Sequence, residues 1–473
     1  MDDNIISTFG CRMNAFESQY IRGILEKLHM KKYIVVNTCT ITAEGERQCR
    51  QELRKLKKQN PGFHLIITGC AGQLHGGLFA SMPEVDFVIG NENKLKDDVY
   101  SKIDKYFQDL ANGKTVDKNA IQAAIYTDCI PENADLKYNN DFDLIDNFSD
   151  RSRAFVPIHT GCNHFCAFCI VPFTRGKFCS YDPKYIVNQV KKFNENGYHE
   201  VVLTGIDITD FGKDIRGQNA VDTLGKLCKS ILKNTQIERL RLSSVDVAEI
   251  DTDIMDLVAN EPRFMPYFHI SLQSGDDNVL RRMRRRHRAK DVYDFCNEVL
   301  KYRPDAAFGA DIITGFPGET DEEFANSLAM VERAPISYVH AFPYSRREKT
   351  LAYLMDDNVP KQVKKERLHK LIDAGEKNLQ QLYKSMDGRT WNVIIEHNGI
   401  ARAENFAQIE IDDTFEPGTL TEIKVAFDGE RLVARRGAGF FLRAEPSSSE
   451  GGLSEEVKNR EGVASGSATP QKH

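Results

Sequence analysis

No run of apolar residues in this sequence approaches the length needed to cross a bilayer, which excludes a helical membrane span. Near the start there is no basic stretch followed by an apolar one; residues 2–4 read Asp2-Asp3-Asn4, so no secretory signal is expected and a cytoplasmic location follows. Net positive charge is missing too. Lysine and arginine total 63 against 69 aspartates and glutamates, a balance of −6, so a surface that meets nucleic acid has to be a local basic patch. Nor is there an even, closely spaced cysteine set. The eleven cysteines are scattered over 473 residues, as metal ligands and free thiols of a reducing compartment are, rather than a disulfide framework. What is present is an ordinary globular composition, 41% apolar and 28% charged, in a chain long enough for roughly three domains.

The densest chemistry lies in Thr160-Gly161-Cys162-Asn163-His164-Phe165-Cys166-Ala167-Phe168-Cys169. Cys162, Cys166 and Cys169 stand at C-x₃-C-x₂-C spacing, which puts three sulfurs on one tight loop. A structural zinc site is closed by four ligands. No fourth cysteine follows at two or three residues, and three ligands with one open position suit an iron–sulfur cluster whose fourth iron takes a small molecule. The alternative is a zinc loop completed by His164, His159 or Cys179.

Three shorter units precede this loop, each an apolar strand running into a cysteine. Ile5-Ile6-Ser7-Thr8-Phe9-Gly10 leads to Cys11, Tyr33-Ile34-Val35-Val36-Asn37-Thr38 to Cys39, and His64-Leu65-Ile66-Ile67-Thr68-Gly69 to Cys70. Helical patterns at 14–29 and 44–59 separate them, with Phe16, Tyr20, Ile24 and Leu25 on one face of the first. Strand–helix alternation predicts a parallel sheet in a doubly wound α/β domain, whose ligands sit at the carboxyl ends of the strands. All three cysteines occupy that edge, which predicts a second three-cysteine metal site. Cys49, inside the second helix, and Cys129, in an Asn- and Asp-rich stretch, read as inert thiols.

Six strand-like runs follow, at 155–158, 200–203, 240–243, 267–272, 310–313 and 338–342, with Asp182-Pro183 as N-cap and first residue of one intervening helix. Six β/α units make a partial, TIM-like barrel, and function is expected on the loops after each strand. Those loops carry Gly205, Asp207, Ser243, Gln273 and Gly315; each loop taken alone is also an ordinary strand-to-helix turn. Beyond it a Lys- and Glu-rich helix is expected at 360–385, then β runs at 391–395, 406–410 and 420–426 that read as a small OB-like barrel. Arg281-Arg282-Met283-Arg284-Arg285-Arg286-His287-Arg288 is the basic feature, a phosphate-binding patch or a solvated helix face. The expected division is a domain at 1–110, a linker at 111–150, the barrel at 151–380, the small barrel at 384–440 and a disordered tail at 441–473.

These stretches together resemble the radical S-adenosylmethionine tRNA methylthiotransferases over about residues 4–436. The resemblance rests on Thr8-Phe9-Gly10-Cys11-Arg12-Met13-Asn14, Asn37-Thr38-Cys39, Gly69-Cys70, the three-cysteine loop with Phe168, and Asp311-Ile312-Ile313-Thr314-Gly315-Phe316-Pro317-Gly318-Glu319-Thr320. Within the family, the stretches from Leu203 to Gly212, from Arg239 to Ser244 and from Arg282 to Arg285 look most like the branch acting on N6-threonylcarbamoyladenosine in tRNA. Sister branches act on isopentenyladenosine in tRNA or on a ribosomal protein side chain. Two places depart from the family pattern: Cys179-Ser180 stands where an arginine often precedes the serine, and Glu348-Lys349-Thr350-Leu351 where Gly-Thr-Pro is common. The resemblance implies two 4Fe–4S clusters, one on Cys162, Cys166 and Cys169 that binds and cleaves S-adenosylmethionine, and an auxiliary one on Cys11, Cys39 and Cys70 that carries the sulfur. The chemistry is cofactor-borne, because C2–H of an adenine is neither acidic nor open to a mild nucleophile. The resemblance further implies Phe168, Gly205, Asp207, Ser243, Gln273 and Gly315 at S-adenosylmethionine, a C-terminal RNA-binding module of the TRAM kind, and an electron donor of the flavodoxin or ferredoxin kind. Arg282, Arg284, Arg285, Arg286 and Arg288 are the candidate RNA contacts. The non-enzyme alternative is a zinc-stabilised RNA-binding protein.

Overall fold

The computed structural model describes residues 4–126, 143–148, 151–217, 220–412 and 415–435. The expected tail at 441–473 and Cys129 lie outside them. Among the described residues no helix is long and apolar enough to cross a membrane.

The first layer is a four-stranded parallel sheet of β1 (Ile5–Thr8), β2 (Tyr33–Thr38), β3 (His64–Thr68) and β4 (Phe87–Val88), in that spatial order. Alternation along each strand feeds two cores. Tyr33, Val35, Ile66 and Phe87 face α1 (Arg12–Lys27), while Ile34, Val36, Leu65, Ile67 and Val88 face Cys49 and Leu53 of α2 (Ala43–Gln59). Helices therefore cover both faces, as the strand–helix alternation implies, and the strands follow chain order without a reversal. Two short helices, α3 (Gly69–Leu74) and α4 (Gly76–Ala80), follow β3, so Cys70 lies in a helical first turn; α5 (Asp97–Ala111) comes after β4. The expected linker is shorter than 111–150. α6 (Lys118–Ile125) belongs to the first layer, because the Gln122 amide bonds Val88 N–H at 3.0 Å and Val88 C=O at 2.7 Å and so occupies the open edge of β4. Residues 143–148 belong to the barrel side, where Ile145 exchanges two hydrogen bonds with the Gln189 amide.

The second layer contains the six expected strands. β5 (Ala154–Pro157), β8 (Glu200–Thr204) and β9 (Arg239–Leu242) form one parallel sheet; β11 (Tyr267–Gln273), β12 (Ala307–Thr314) and β13 (Ile336–Pro343) continue in another that starts at β10 (Ser244–Val245). The hairpin β6 (His159–Thr160) and β7 (Cys179–Ser180) frames the cysteine loop, with α7 (Val171–Arg175) between them. The helices are α8 (Pro183–Glu195), α9 (Leu224–Asn234), α10 (Thr252–Asn260), α11 (Asp277–Arg282), α12 (Ala289–Tyr302) and α13 (Asp321–Arg333). α8 starts as its sequence predicts, with the Asp182 carboxylate accepting from Lys184 N–H at 2.6 Å and Pro183 in first place.

α14 (Lys361–Met386) runs from the second layer into a closed five-stranded barrel ordered β14 (Thr390–Glu396), β15 (Ile400–Ala403), β16 (Gln408–Glu410), β18 (Leu432–Ala434), β17 (Leu420–Phe427). Position 384 falls inside this helix, so the barrel proper begins at Thr390. It packs against the amino ends of the large barrel's strands. Arg239 donates to Asn392 C=O at 2.6 Å, Arg241 to Glu404 C=O at 3.0 Å, and Phe406 stacks on Tyr267 with centroids 4.5 Å apart. Both arginines also hold the buried carboxylate of Glu200. The lumen thus has a floor opposite the cysteine loop.

Candidate metal and cofactor sites

Strand register brings the N-terminal cysteines together. Thr8 pairs with Asn37 and Asn37 with Thr68, so three strand ends are level, and Cys11, Cys39 and Cys70 follow them by two or three residues. Thr38 locks the rim, donating to Thr68 C=O at 2.6 Å and accepting from Gly72 N–H at 2.9 Å; the Asn14 amide donates to Phe9 C=O at 2.7 Å and Thr38 C=O at 3.0 Å. Gly10 is required by close approach: its φ is +95°, and a Cβ there would come 2.8 Å from the Cys39 sulfur. Burial, reinforced by Cys70, pushes the Cys39 thiol up to about 12. Thiols in such a place become thiolates when a cation binds them.

The second trio is set by one loop. Gly161, at φ +68°, lets the loop turn where any Cβ would fall on the Lys177 carbonyl. Ala167 anchors its middle, donating to Met283 C=O at 2.9 Å and accepting from Ala352 N–H at 2.7 Å. The Cys162 sulfur accepts from His164 N–H at 3.4 Å and the Cys166 sulfur from the Arg285 guanidinium at 3.4 Å. Burial lifts Cys162 and Cys169 to about 12. The two trios adjoin: α3 packs on α7, Asn91 donates to Thr174 C=O at 2.6 Å beside the Cys70 sulfur at 4.0 Å, and Cys169 and Cys70 interact electrostatically.

Between them lies a buried ionic cluster that the sequence did not announce. Glu17 pairs with Arg175 at 2.8 Å and with Lys94 at 2.5 Å, and Arg175 also donates to Asn14 at 2.6 Å. Burial opposes the Glu17 charge, but the two cations outweigh it and hold the carboxyl near 2. Two cations against one carboxylate leave one positive charge uncompensated, and Arg175 interacts electrostatically with Cys70 and Cys11. That charge would offset an anionic thiolate–metal group held by the trio.

The donor sets fit clusters better than zinc. Sulfurs on a tetrahedral zinc lie about 3.8 Å apart. Among the described residues the ligand triads within 4.8 Å of one another are His269–Asp311–His340 and His164–Asp207–Asp210, and neither cysteine trio is as compact. The candidate zinc completers are otherwise engaged. His164 bonds Asp207 at 3.0 Å and Asp210 at 2.6 Å; burial opposes its charge, but those carboxylates lift its pKa to about 9. His159 Nε2 accepts from Asp207 N–H at 3.0 Å, and Cys179 is in the hairpin strand opposite Thr160. Cys49 is buried in the apolar core, as its inert reading requires.

The six residues expected at S-adenosylmethionine divide. Ser243, just past β9, is buried with its hydroxyl unpartnered, and Gln273 ends β11 at φ +69°, beyond a register shift. Gly315 directly follows β12 at φ +67° and its N–H donates to Glu319 at 2.7 Å, whose carboxylate Arg367 holds at 2.6 Å. Gly205 lies against the His159 ring. An orphaned hydroxyl and two positive-φ strand ends at the carboxyl rim are the features a ligand cradle requires. Asp207 is occupied by His164, and Phe168 packs in the side cluster of Met283, Phe316 and Tyr344.

The arginine run is not one surface. Arg282 makes a bidentate pair with Glu323 at 2.7 Å, Arg285 turns inward to Asp246 at 2.9 Å and to Cys166, and Arg286 pairs with Glu249. Arg284 and Arg288 are exposed. The reason is that α11 stops at Arg282 and Arg284 takes φ +60°, so helical periodicity does not continue through the run.

A profile of the radical SAM superfamily matches residues 156–331, and one described as uncharacterized protein family UPF0004 matches residues 4–90. The threonylcarbamoyladenosine tRNA methylthiotransferase MtaB of Rickettsia prowazekii is 41% identical over 86% of this chain and 91% of its own length. The proteins of the same name from Aquifex aeolicus and Bacillus subtilis are each 32% identical, over 88% and 89% of this chain and 98% and 89% of their own lengths. Among solved structures, the radical S-adenosylmethionine methyltransferase TsrM from Kitasatospora setae shares the fold, with a TM-score of 0.53 at 10% identity over 74% of this chain and 77% of that one. The radical SAM loop, the three-cysteine strand rim and relatives matched almost end to end converge on one statement: the chain belongs to the MtaB family of radical S-adenosylmethionine methylthiotransferases.

Proposed function

We propose that this chain converts N6-threonylcarbamoyladenosine beside the anticodon of tRNA to its 2-methylthio derivative. The carrying observation is the adjacency of two separate cysteine trios, one on a barrel loop and one on a sheet rim, in a chain whose relatives bear that activity in their names. Cys162, Cys166 and Cys169 would hold the 4Fe–4S cluster that binds S-adenosylmethionine, and Cys11, Cys39 and Cys70 the auxiliary cluster. When bound, these groups supply the one-electron cleavage of the sulfonium and the sulfur to be transferred.

The protein's own share is placement, charge compensation and exclusion of water. Gly205, Ser243, Gln273 and Gly315 supply the cradle for S-adenosylmethionine, while Asp207 acts through His164 and Phe168 through packing. Arg285 donates to the Cys166 sulfur, and Arg175 with Lys94 offsets negative charge at the rim. Residues 1–110 with α6 serve sulfur supply, 151–380 radical chemistry, and the small barrel RNA contact, aided by Arg284 and Arg288 for phosphates. An electron donor of the flavodoxin or ferredoxin kind completes the system, in the cytoplasm. Nucleoside analysis of tRNA from a strain lacking this gene tests the reading: the 2-methylthio nucleoside disappears and its precursor accumulates. Retention of the product without a paralogue would defeat it, and a colourless, zinc-containing anaerobic preparation would favour a binding protein instead.

A further inference from the structure

One arginine of the basic run lies where no phosphate can reach it. Continued helical spacing would put Arg285 on the face of Arg281 and Arg282, but α11 ends at Arg282 and Arg284 turns the chain at φ +60°. Arg285 therefore enters the interior, with its side chain 8% exposed. Nη2 donates to the Asp246 carboxylate at 2.9 Å and to Ser271 C=O at 2.9 Å, while Nη1 donates to the Cys166 sulfur at 3.4 Å.

The fork is held from both sides. Asp246 is itself 2% exposed, and its carboxylate accepts from Ala248 N–H at 3.2 Å. His287 Nε2 donates to Leu272 C=O at 3.0 Å, so Arg285 and His287 both tie this segment to β11. The sulfurs of the loop then differ in their donors. Cys162 accepts from a peptide N–H, which carries no charge, whereas Cys166 meets a guanidinium, which stays protonated at any working pH.

Arg285 and Asp246 together are neutral, yet they do not cancel at the sulfur. Nη1 touches it, and the carboxylate is bonded to Nη2, so it meets the sulfur only across the guanidinium. Cys166 thus faces the positive end of a fixed dipole in a largely buried setting, where such an interaction is little screened.

We propose that Arg285 sets the reduction potential of the cluster on Cys162, Cys166 and Cys169 by favouring its one-electron-reduced form. The inference rests on the reading of this loop as a cluster site. Reduction adds one negative charge to a group already ligated by three thiolates, and a buried cationic donor on one sulfur stabilises the more negative state over the less. One electron enters, from a donor of the flavodoxin or ferredoxin kind, and no bond of the protein forms or breaks. Asp246 is a positioning residue, since with the Ser271 carbonyl it aims the fork.

The test uses the full-length Cys11→Ala/Cys39→Ala/Cys70→Ala protein, reconstituted anaerobically, so that one cluster signal is read. A redox titration followed by electron paramagnetic resonance gives its midpoint. Arg285→Met keeps an apolar stem and removes the charge and the donors. It should lower the midpoint by at least about 59 mV, a tenfold fall in the reduced-to-oxidised ratio at fixed potential. Arg285→Lys should recover part of that shift. An arginine with a purely structural role would alter thermal unfolding and leave the midpoint in place, and an unchanged midpoint in Arg285→Met overturns the proposal. A second measurement keeps Arg285 itself. With ¹⁵N-arginine incorporated, spin-echo spectra of the reduced cluster should show coupling to an arginine nitrogen that Arg285→Lys abolishes. Absence of that coupling overturns the proposal even where Arg285→Met does not fold. A preparation with no iron on the loop sinks the cluster reading and the inference with it, whereas iron with a midpoint indifferent to Arg285 sinks the inference alone.

Discussion

The two cysteine trios reach similar ends by opposite routes. Cys162, Cys166 and Cys169 are neighbours along the chain, and a single loop pinned at Ala167 by Met283 and Ala352 sets their spacing. Cys11, Cys39 and Cys70 come from three strands, and only parallel register makes them level. A loop site depends on local sequence and tolerates change elsewhere. A rim site depends on the sheet, on the hydrogen bonds of Asn14 and Thr38, and on the Glu17–Arg175–Lys94 cluster that joins the sheet to the barrel. On the proposed function the difference also separates tasks, the loop site serving initiation and the rim site supply.

Removing one trio at a time is the strongest way to break that contrast. The Cys162→Ala/Cys166→Ala/Cys169→Ala variant should lose both modification and S-adenosylmethionine cleavage while retaining about half the iron, located in the first layer. Anaerobic iron and sulfide quantitation reads this directly, and complete loss of iron would mean the rim holds no cluster of its own. The Cys11→Ala/Cys39→Ala/Cys70→Ala variant should lose modification yet still release 5′-deoxyadenosine, so the two half-enzymes differ in one assay.

A smaller effect comes from the joint between the layers. Glu17→Gln leaves two buried cations short of their carboxylate and should cost about 3–5 kcal/mol of stability in thermal unfolding. Glu17 has its pKa lowered from 4.5 to about 2, so its stabilisation is complete above pH 4.5 and is lost as pH falls through about 2. A native protein whose acid unfolding matches that of Glu17→Gln between those values would remove the cluster from the account. Weaker again, Arg284→Glu and Arg288→Glu should each lower stem-loop affinity and reduce the salt slope by about one, as single phosphate contacts do. Cys49→Ala should leave iron content unchanged and cost about 1 kcal/mol, the scale of one buried atom group. Any loss of iron there would enlarge the rim site to four thiols.

Much of this was legible because the relevant signals are local. C-x₃-C-x₂-C spacing, the strand-then-cysteine repeat, Asp182-Pro183 and the alternation of apolar runs report what a few adjacent residues do. Other features were not. Arg285 reads as one more arginine in a basic run, and its inward turn to Cys166 follows from a helix end and a left-handed Arg284. Gln122 reads as part of a linker, and its role at the β4 edge exists only beside Val88. Glu17, Lys94 and Arg175 are unremarkable in isolation, and so are His269, Asp311 and His340.

The sequence by itself determined the class of chemistry, because a three-thiol loop and three cysteine-ended strands are written in spacing and periodicity. Tertiary structure alone decided which charges face which cysteines, since a buried cation's partner is chosen by packing across elements distant in the chain. Arg285 shows both. Its place in the basic run is sequence, while its pairing with Asp246 and with the Cys166 sulfur exists only because α11 ends at Arg282 and the chain turns inward beyond it.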